Sequence, residues 1–206
     1  MTRRPAPAPN SVRVFAALEL PDAVVHRLAA VMMALRAAVP ARSVRWARPE
    51  GLHLTLQFYG EVDRERVPAL ETALAAAAAG AEPLTLNLAG LGAFPTAARA
   101  RVVWVGVAGD LERLRALQAA VEAGGRPLGF QPDERGFHPH LTLGRVNGPL
   151  PPTEQHRLAD ALARIRPPAG SVFTLDALSL MRSEPQGGGS VYTRLWAAPL
   201  SGGRKP

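Results

Sequence analysis

The chain has no cysteine. That single absence excludes disulfides, thiolate metal sites and thiol nucleophiles together. Lysine is nearly as scarce: Lys205 stands alone, and every other basic residue is arginine. No apolar run is long enough to span a bilayer, and stretches such as TALAAAAAG read as Ala-rich helix rather than lipid-facing sequence. The N-terminal MTRRPAPAPN carries two arginines but leads into no apolar stretch of the signal-peptide kind. Residues 1–11 are therefore expected to be a disordered leader, residues 199–206 a flexible tail, and the protein cytoplasmic, with no membrane contact. No oligomerisation motif is present, which leaves a monomer as the default.

What is present is sufficient for a well-packed body. Hydrophobic residues make up 47% of the 206, enough for a sizeable core in one large domain or two small lobes. The formal net charge is +7. An arginine-rich, lysine-poor basic surplus has two sources: a GC-rich genome that writes Arg for Lys, and a phosphate-bearing partner that guanidinium grips in bidentate fashion. Charge alone does not choose between them.

Alternation and punctuation predict strands over 12–20, 44–47, 51–62, 83–94, 99–110, 137–146, 170–182 and 190–200. Helices are expected over 23–39, stopping at Pro40, over 63–80 with Gly80 as its close, over 110–125 with Asp110 as cap, and over 152–165. A Gly-rich hairpin, PQGGG, separates the last two strands. Short turns between neighbouring strands argue for largely antiparallel sheets and an α+β class.

One tetrapeptide occurs twice. HLTL stands at 53–56 and again at 140–143, in a chain with five histidines. Upstream, RVFAALELPD begins 40 residues before His53 and RVVWVGVAGD 39 before His140. Downstream, Thr85 in LTLNLAG follows His53 by 32 residues, and Thr174 in FTLDAL follows His140 by 34. A strand–helix–HLTL–helix–strand unit is thus repeated, so two similar lobes with approximate two-fold symmetry are expected, their HLTL strands facing each other.

In a strand, His53 and Thr55 share one face while Leu52, Leu54 and Leu56 share the other; His140 and Thr142 likewise lie opposite Leu141 and Leu143. Each half then offers a polar pair mounted on a rigid strand. Two imidazoles across a cleft can work as neutral base and protonated acid, while threonine hydroxyls hold an anion's oxygens. That combination suits a phosphoryl group and needs neither metal nor cofactor.

The stretches RVFAALELP, VRWARPEGLHLTLQFYGEV, RVVWVGV, FHPHLTLGRV and LSLMRSEPQGGGSVYTRLW, in that order, resemble the two-histidine phosphoesterase superfamily. The closest resemblance is to the bacterial and archaeal RNA 2′,3′-cyclic phosphodiesterases, long called 2′-5′ RNA ligases, and it covers residues 12–198. It implies a single bilobal domain over those residues, with two antiparallel sheets lining a central cleft and helices outside. It implies RNA with 2′,3′-cyclic phosphate ends, or cyclic nucleotides, as partners, opened to a 2′-phosphomonoester, with ATP-independent 2′-5′ ligation as related chemistry. His53 is then the proton donor and His140 the base, with Thr55 and Thr142 on the phosphate. Arg145 matches a phosphate- or ligand-contacting arginine, and Phe15 an aromatic that contacts the nucleoside. A cyclic phosphodiesterase acting on a small nucleotide (ADP-ribose cyclic phosphate or a 2′-5′ oligonucleotide) and a non-catalytic RNA- or nucleotide-binding module are the competing readings.

The other candidates are less determined. His138 would face the cleft beside His140 in an unbroken strand, but Pro139 intervenes and no third ligand of suitable spacing accompanies it, so no metal site is expected. His26 and His156 are expected on helix surfaces. Trp46 and Arg48 either contact RNA or form an edge strand and a turn. Trp104 and Trp196 read as core, and Tyr192 is a candidate for the cleft border. The glycines at 187–189 open no helix and precede no Lys-Ser/Thr, so they are not a phosphate loop.

Overall fold

A computed structural model describes residues 10–134, 136–168, 170–186 and 189–202. Nine strands and four helices alternate along the described residues: β1 (Ser11–Glu19), α1 (Asp22–Ala38), β2 (Val44–Trp46), β3 (His53–Asp63), α2 (Val67–Ala79), β4 (Leu84–Phe94), β5 (Val102–Gly109), α3 (Leu111–Gly125), β6 (His140–Val146), α4 (Pro152–Arg164), β7 (Val172–Leu175), β8 (Ala177–Gln186) and β9 (Gly189–Pro199). Every strand pairing is antiparallel. The α+β reading holds.

The helices form because apolar residues recur at helical spacing. In α1, Val24, Leu28, Val31, Met32 and Leu35 make one buried stripe; in α2, Leu70, Leu74, Ala77 and Ala78 make another. Helices α2 and α3 pack on each other behind β3, β8 and β9, while α4 lies against α1 and β4. One continuous core fills the space between helices and sheet, and Val14, Ala16, Leu18, Leu54, Leu56, Leu141 and Leu143 supply its strand side. None of the described helices is long and apolar enough to cross a membrane.

The strands follow the order β7-β4-β5-β6-β3-β1-β8-β9, with β2 added against the far end of β6. The two expected sheets are therefore the halves of one curled sheet. They meet through a single bridge, Leu54 opposite Leu141, which lies between the two HLTL segments. The halves also exchange strands: β4 leaves the first half of the chain to pair with β5, and β8 returns to pair with β1.

Several sequence expectations shift. Thr85 and Thr174 are not counterparts in equivalent strands; they are cross-strand partners in β4 and β7. Strand β6 begins at His140, not at residue 137, because Pro139 has no N–H for a ladder. Asp110 does not cap α3 through its side chain; its carboxylate accepts the Thr85 N–H at 2.8 Å and the Arg113 guanidinium at 3.2 Å. Helix α2 closes at Gly80 as expected, with Gly80 as a right-handed C-cap at φ −84°, but it begins at Val67, after a separate 3-10 turn over Arg64–Arg66. Strands β8 and β9 pair as far as Gln186 opposite Gly189, and residues 187–188 of the expected Gly-rich hairpin lie outside the described residues. The tail is held down as far as Gly202, since Leu200 is buried and its N–H donates to Asp176 O at 2.7 Å, while Gly202 N–H donates to Ala81 O. The expected leader lies outside the described residues up to position 9, and Ser11 already belongs to β1.

Candidate active site

Strand alternation sorts the side chains of both HLTL segments as expected. Leu54, Leu56, Leu141 and Leu143 are buried in the core, whereas His53, Thr55, His140 and Thr142 are half-buried on the opposite, concave face. The Leu54–Leu141 bridge sets their mutual placement. Continued in register, it sets His53 across from Thr142 and Thr55 across from His140. Diagonal neighbours in such a ladder are about 7–8 Å apart. That spacing between the two histidines admits a phosphoryl group.

The two imidazoles are pinned alike. His53 Nδ1 is 2.7 Å from the carbonyl oxygen of Gly51, and His140 Nδ1 is 2.6 Å from that of His138. A carbonyl can only accept, so each Nδ1 carries the proton and each Nε2 is left with its lone pair when the ring is neutral. Gly51 and His138 occupy equivalent positions, two residues before each histidine, and each offers its backbone carbonyl. His138 itself is exposed and lies outside the strand.

Each ring rests on aromatics. His53 sits 4.6 Å from Phe15 and edge-on to Tyr192 at 4.8 Å; His140 meets Phe94 edge-on at 5.0 Å, with Trp104 beyond at 6.4 Å. Gly51 leaves room for Tyr192: a Cβ there would stand 3.1 Å from its ring. Phe15 is 0% exposed, so it supports His53 from beneath instead of presenting a face to a nucleoside. The exposed aromatic is Phe58, 52% accessible and 5.2 Å from Phe15. Tyr192 does border the cleft. Trp104 is not core; it lies on the cleft face opposite Thr142 and covers Gly92, where a Cβ would fall 2.3 Å from the indole. Trp46 turns the other way, packing on the core with Arg36 6.0 Å above its ring. Arg48 is exposed at a turn leading into β3. His26 and His156 are exposed, as expected, and Trp196 packs partly buried against the core.

Phe58 and Arg145 occupy matching places. Each follows its histidine by five residues, which plain alternation would send to the core face. Register shifts restore both to the cleft: β3 skips at Leu56 against β1, and β6 skips at Leu143 against β5. Phe58 pairs with the cleft-facing Phe15, and Arg145 with Val102, two before Trp104. The equal offset made Phe58 findable in the sequence, but the bulge that makes the offset meaningful is a property of the sheet.

The electrostatics break the symmetry. Glu19, opposite His53 in β1, accepts from Ser179 at 2.5 Å and from the Arg194 guanidinium at 2.7 and 2.9 Å. Burial pushes its carboxyl up, but these donors prevail and hold it below the usual carboxylate range. Burial drives His53 down to about 4, against the opposing pull of the Gly51 carbonyl and the Glu19 charge. His140 is also lowered, by burial first, then by the charges of His138 and Arg145, with the His138 carbonyl opposing. Anionic Glu19 thus favours a proton on His53, and cationic Arg145 disfavours one on His140. A depression of about 350 Å³ opens beside Glu19, lined also by Thr174, Asp176, Ser179 and Arg194.

Comparison with known proteins agrees with this geometry. The family model of the 2′-5′ RNA ligase superfamily matches residues 16–187. A protein of Methanothermobacter thermautotrophicus named RNA 2′,3′-cyclic phosphodiesterase is 32% identical over 182 residues, 88% of this chain and 95% of that relative. One of the same name from Thermus thermophilus is 33% identical over 199 residues, covering 93% and 91%. Among solved structures, TT0787 of Thermus thermophilus superposes with a TM-score of 0.74 at 30% identity, covering 92% of this chain and 98% of that one. Escherichia coli LigT complexed with 3′-AMP gives 0.72 at 27% identity and the same coverage. From the paired HLTL strands to the whole sheet, the chain belongs to the 2′-5′ RNA ligase superfamily.

Proposed function

We propose that the protein opens the terminal 2′,3′-cyclic phosphate of RNA to a 2′-phosphomonoester. One observation carries the reading: two imidazoles, each tied through Nδ1 to a backbone carbonyl, flank a cleft at the single bridge between sheet halves. Thr55 and Thr142 hold the non-bridging oxygens. His140 Nε2 takes a proton from water, whose oxygen bonds to phosphorus. The bond from phosphorus to the 3′ oxygen breaks, and protonated His53 delivers its proton to that oxygen. The opposite charges beside the two rings, Glu19 and Arg145, support this division of labour. Burial disfavours a proton on His53, and the anionic substrate adds the charge that raises it. An RNA 5′-hydroxyl in place of water gives a 2′-5′ linkage by the same proton transfers.

The names of the relatives support the substrate class, and LigT has been crystallised with 3′-AMP and with phosphate. The test is product analysis of an oligonucleotide with a 2′,3′-cyclic end. The phosphate is expected on the 2′ oxygen. His53→Ala and His140→Ala should each lower kcat by about 10²–10⁴-fold while leaving the circular dichroism spectrum unchanged. Near-normal turnover in either variant, or a 3′-phosphate product, defeats the scheme.

A further inference from the structure

Beside the reacting centre lies a pair of arginines that the chemistry above does not use as a pair. Arg45, in β2, is the direct cross-strand partner of Arg145 in β6. Directly opposed residues of antiparallel strands share a face. Arg145 shares the face of Val102 and Thr142, so both guanidinium groups stand on the concave side, continuous with His140. The burial of Val44 and the inward packing of Trp46 confirm that β2 presents only Arg45 to the cleft.

Both arginines are exposed, and among the described residues neither pairs with a carboxylate. Like charges placed directly opposite each other in a sheet destabilise it. An unrelieved Arg–Arg pair beside a phosphate-handling cleft is relieved when a polyanion covers it. In the other half, Phe58 stands where Arg145 stands. Arg145 lies three residues past Thr142, about 10 Å at ~3.3 Å per residue. Arg45 stands on the edge of β6 that β3 also uses, further along β6 from the two histidines and beyond the group that reacts.

We propose that Arg45, with Arg145, holds the phosphate next to the terminal cyclic one, so the protein's preferred substrate is an oligonucleotide whose backbone leaves the site across β6 and β2. The proposal rests on reading the site as a cyclic phosphodiesterase, and the experiment separates the two. Steady-state rates are measured for the wild type and Arg45→Gln on a cyclic 2′,3′-mononucleotide and on an oligonucleotide with the same end, at several salt concentrations. The wild type is expected to prefer the oligonucleotide in kcat/KM. Arg45→Gln should cut that preference about tenfold, through KM and not kcat, as expected for one lost charge-assisted contact. The slope of log(kcat/KM) against log[salt] for the oligonucleotide should become shallower by ~0.7, the contribution of one phosphate on a single strand. Thermal unfolding of the variant should be unchanged or shifted upward, because a repulsive pair has been removed. An equal preference in wild type and variant, or no preference in the wild type, overturns the proposal. If the wild type opens neither substrate, the phosphodiesterase reading itself falls and the track falls with it.

Discussion

His53 shows how a residue placed for the proposed chemistry also carries a cost. Its ring is pressed between Phe15 and Tyr192 with Glu19 nearby, and burial holds it at about 4 against an ordinary value near 6.5. Between those two values the unfolded chain binds the proton and the folded one does not. Stability must then fall as pH drops from 6.5 through 4, by roughly 3 kcal/mol from this group. Urea unfolding of wild type and His53→Gln at pH 7 and pH 4 measures it. The glutamine variant should lose less stability across that interval, and an identical loss would show that His53 titrates normally. The identity of this residue was legible in the sequence, because HLTL repeats at matched offsets. Its supports were not: Tyr192 and Glu19 lie 139 and 34 residues away in the chain, and only strand pairing brings them to the ring.

Elements are where local pattern and tertiary context part company. The alternation of HLTL correctly assigned leucines to the core and His-Thr to the cleft, because a strand has period two whatever its neighbours are. Past Thr55 and Thr142 the rule fails, since each strand skips a residue against its partner. Trp104 was misplaced for a related reason. In the run VVWVGV every residue is apolar or glycine, so the sequence does not distinguish the core face from the cleft face. The structure does, by leaving Gly92 bare opposite Trp104. Gly92→Ala would place a methyl group inside the indole's position and force the ring to shift. A loss of about 1–3 kcal/mol is expected, together with reduced kcat, because Trp104 and Phe94 back His140. Unchanged stability and kcat would show that the indole is not what seats the histidine.

At the scale of the molecule, the two halves are not separable lobes. Strand exchange weaves them together, and a single Leu54–Leu141 bridge joins them at the candidate active site. Leu54 is fully buried there. Leu54→Ala should cost about 2–5 kcal/mol in denaturant unfolding, in one transition with no intermediate, since neither half retains a complete sheet without the other. Two separate transitions would mean that the halves fold independently. The sequence by itself determined the α+β class, the approximate elements, the candidate site histidines and threonines and the basic character, because periodicity, turn residues, repeated motifs and charge are local or additive properties. Only the tertiary structure decided that there is one sheet instead of two, that Phe15 is a buried support, and that Arg45 faces Arg145. Those outcomes depend on register and strand order, which arise from pairings between distant segments, and no local stretch of the chain encodes them.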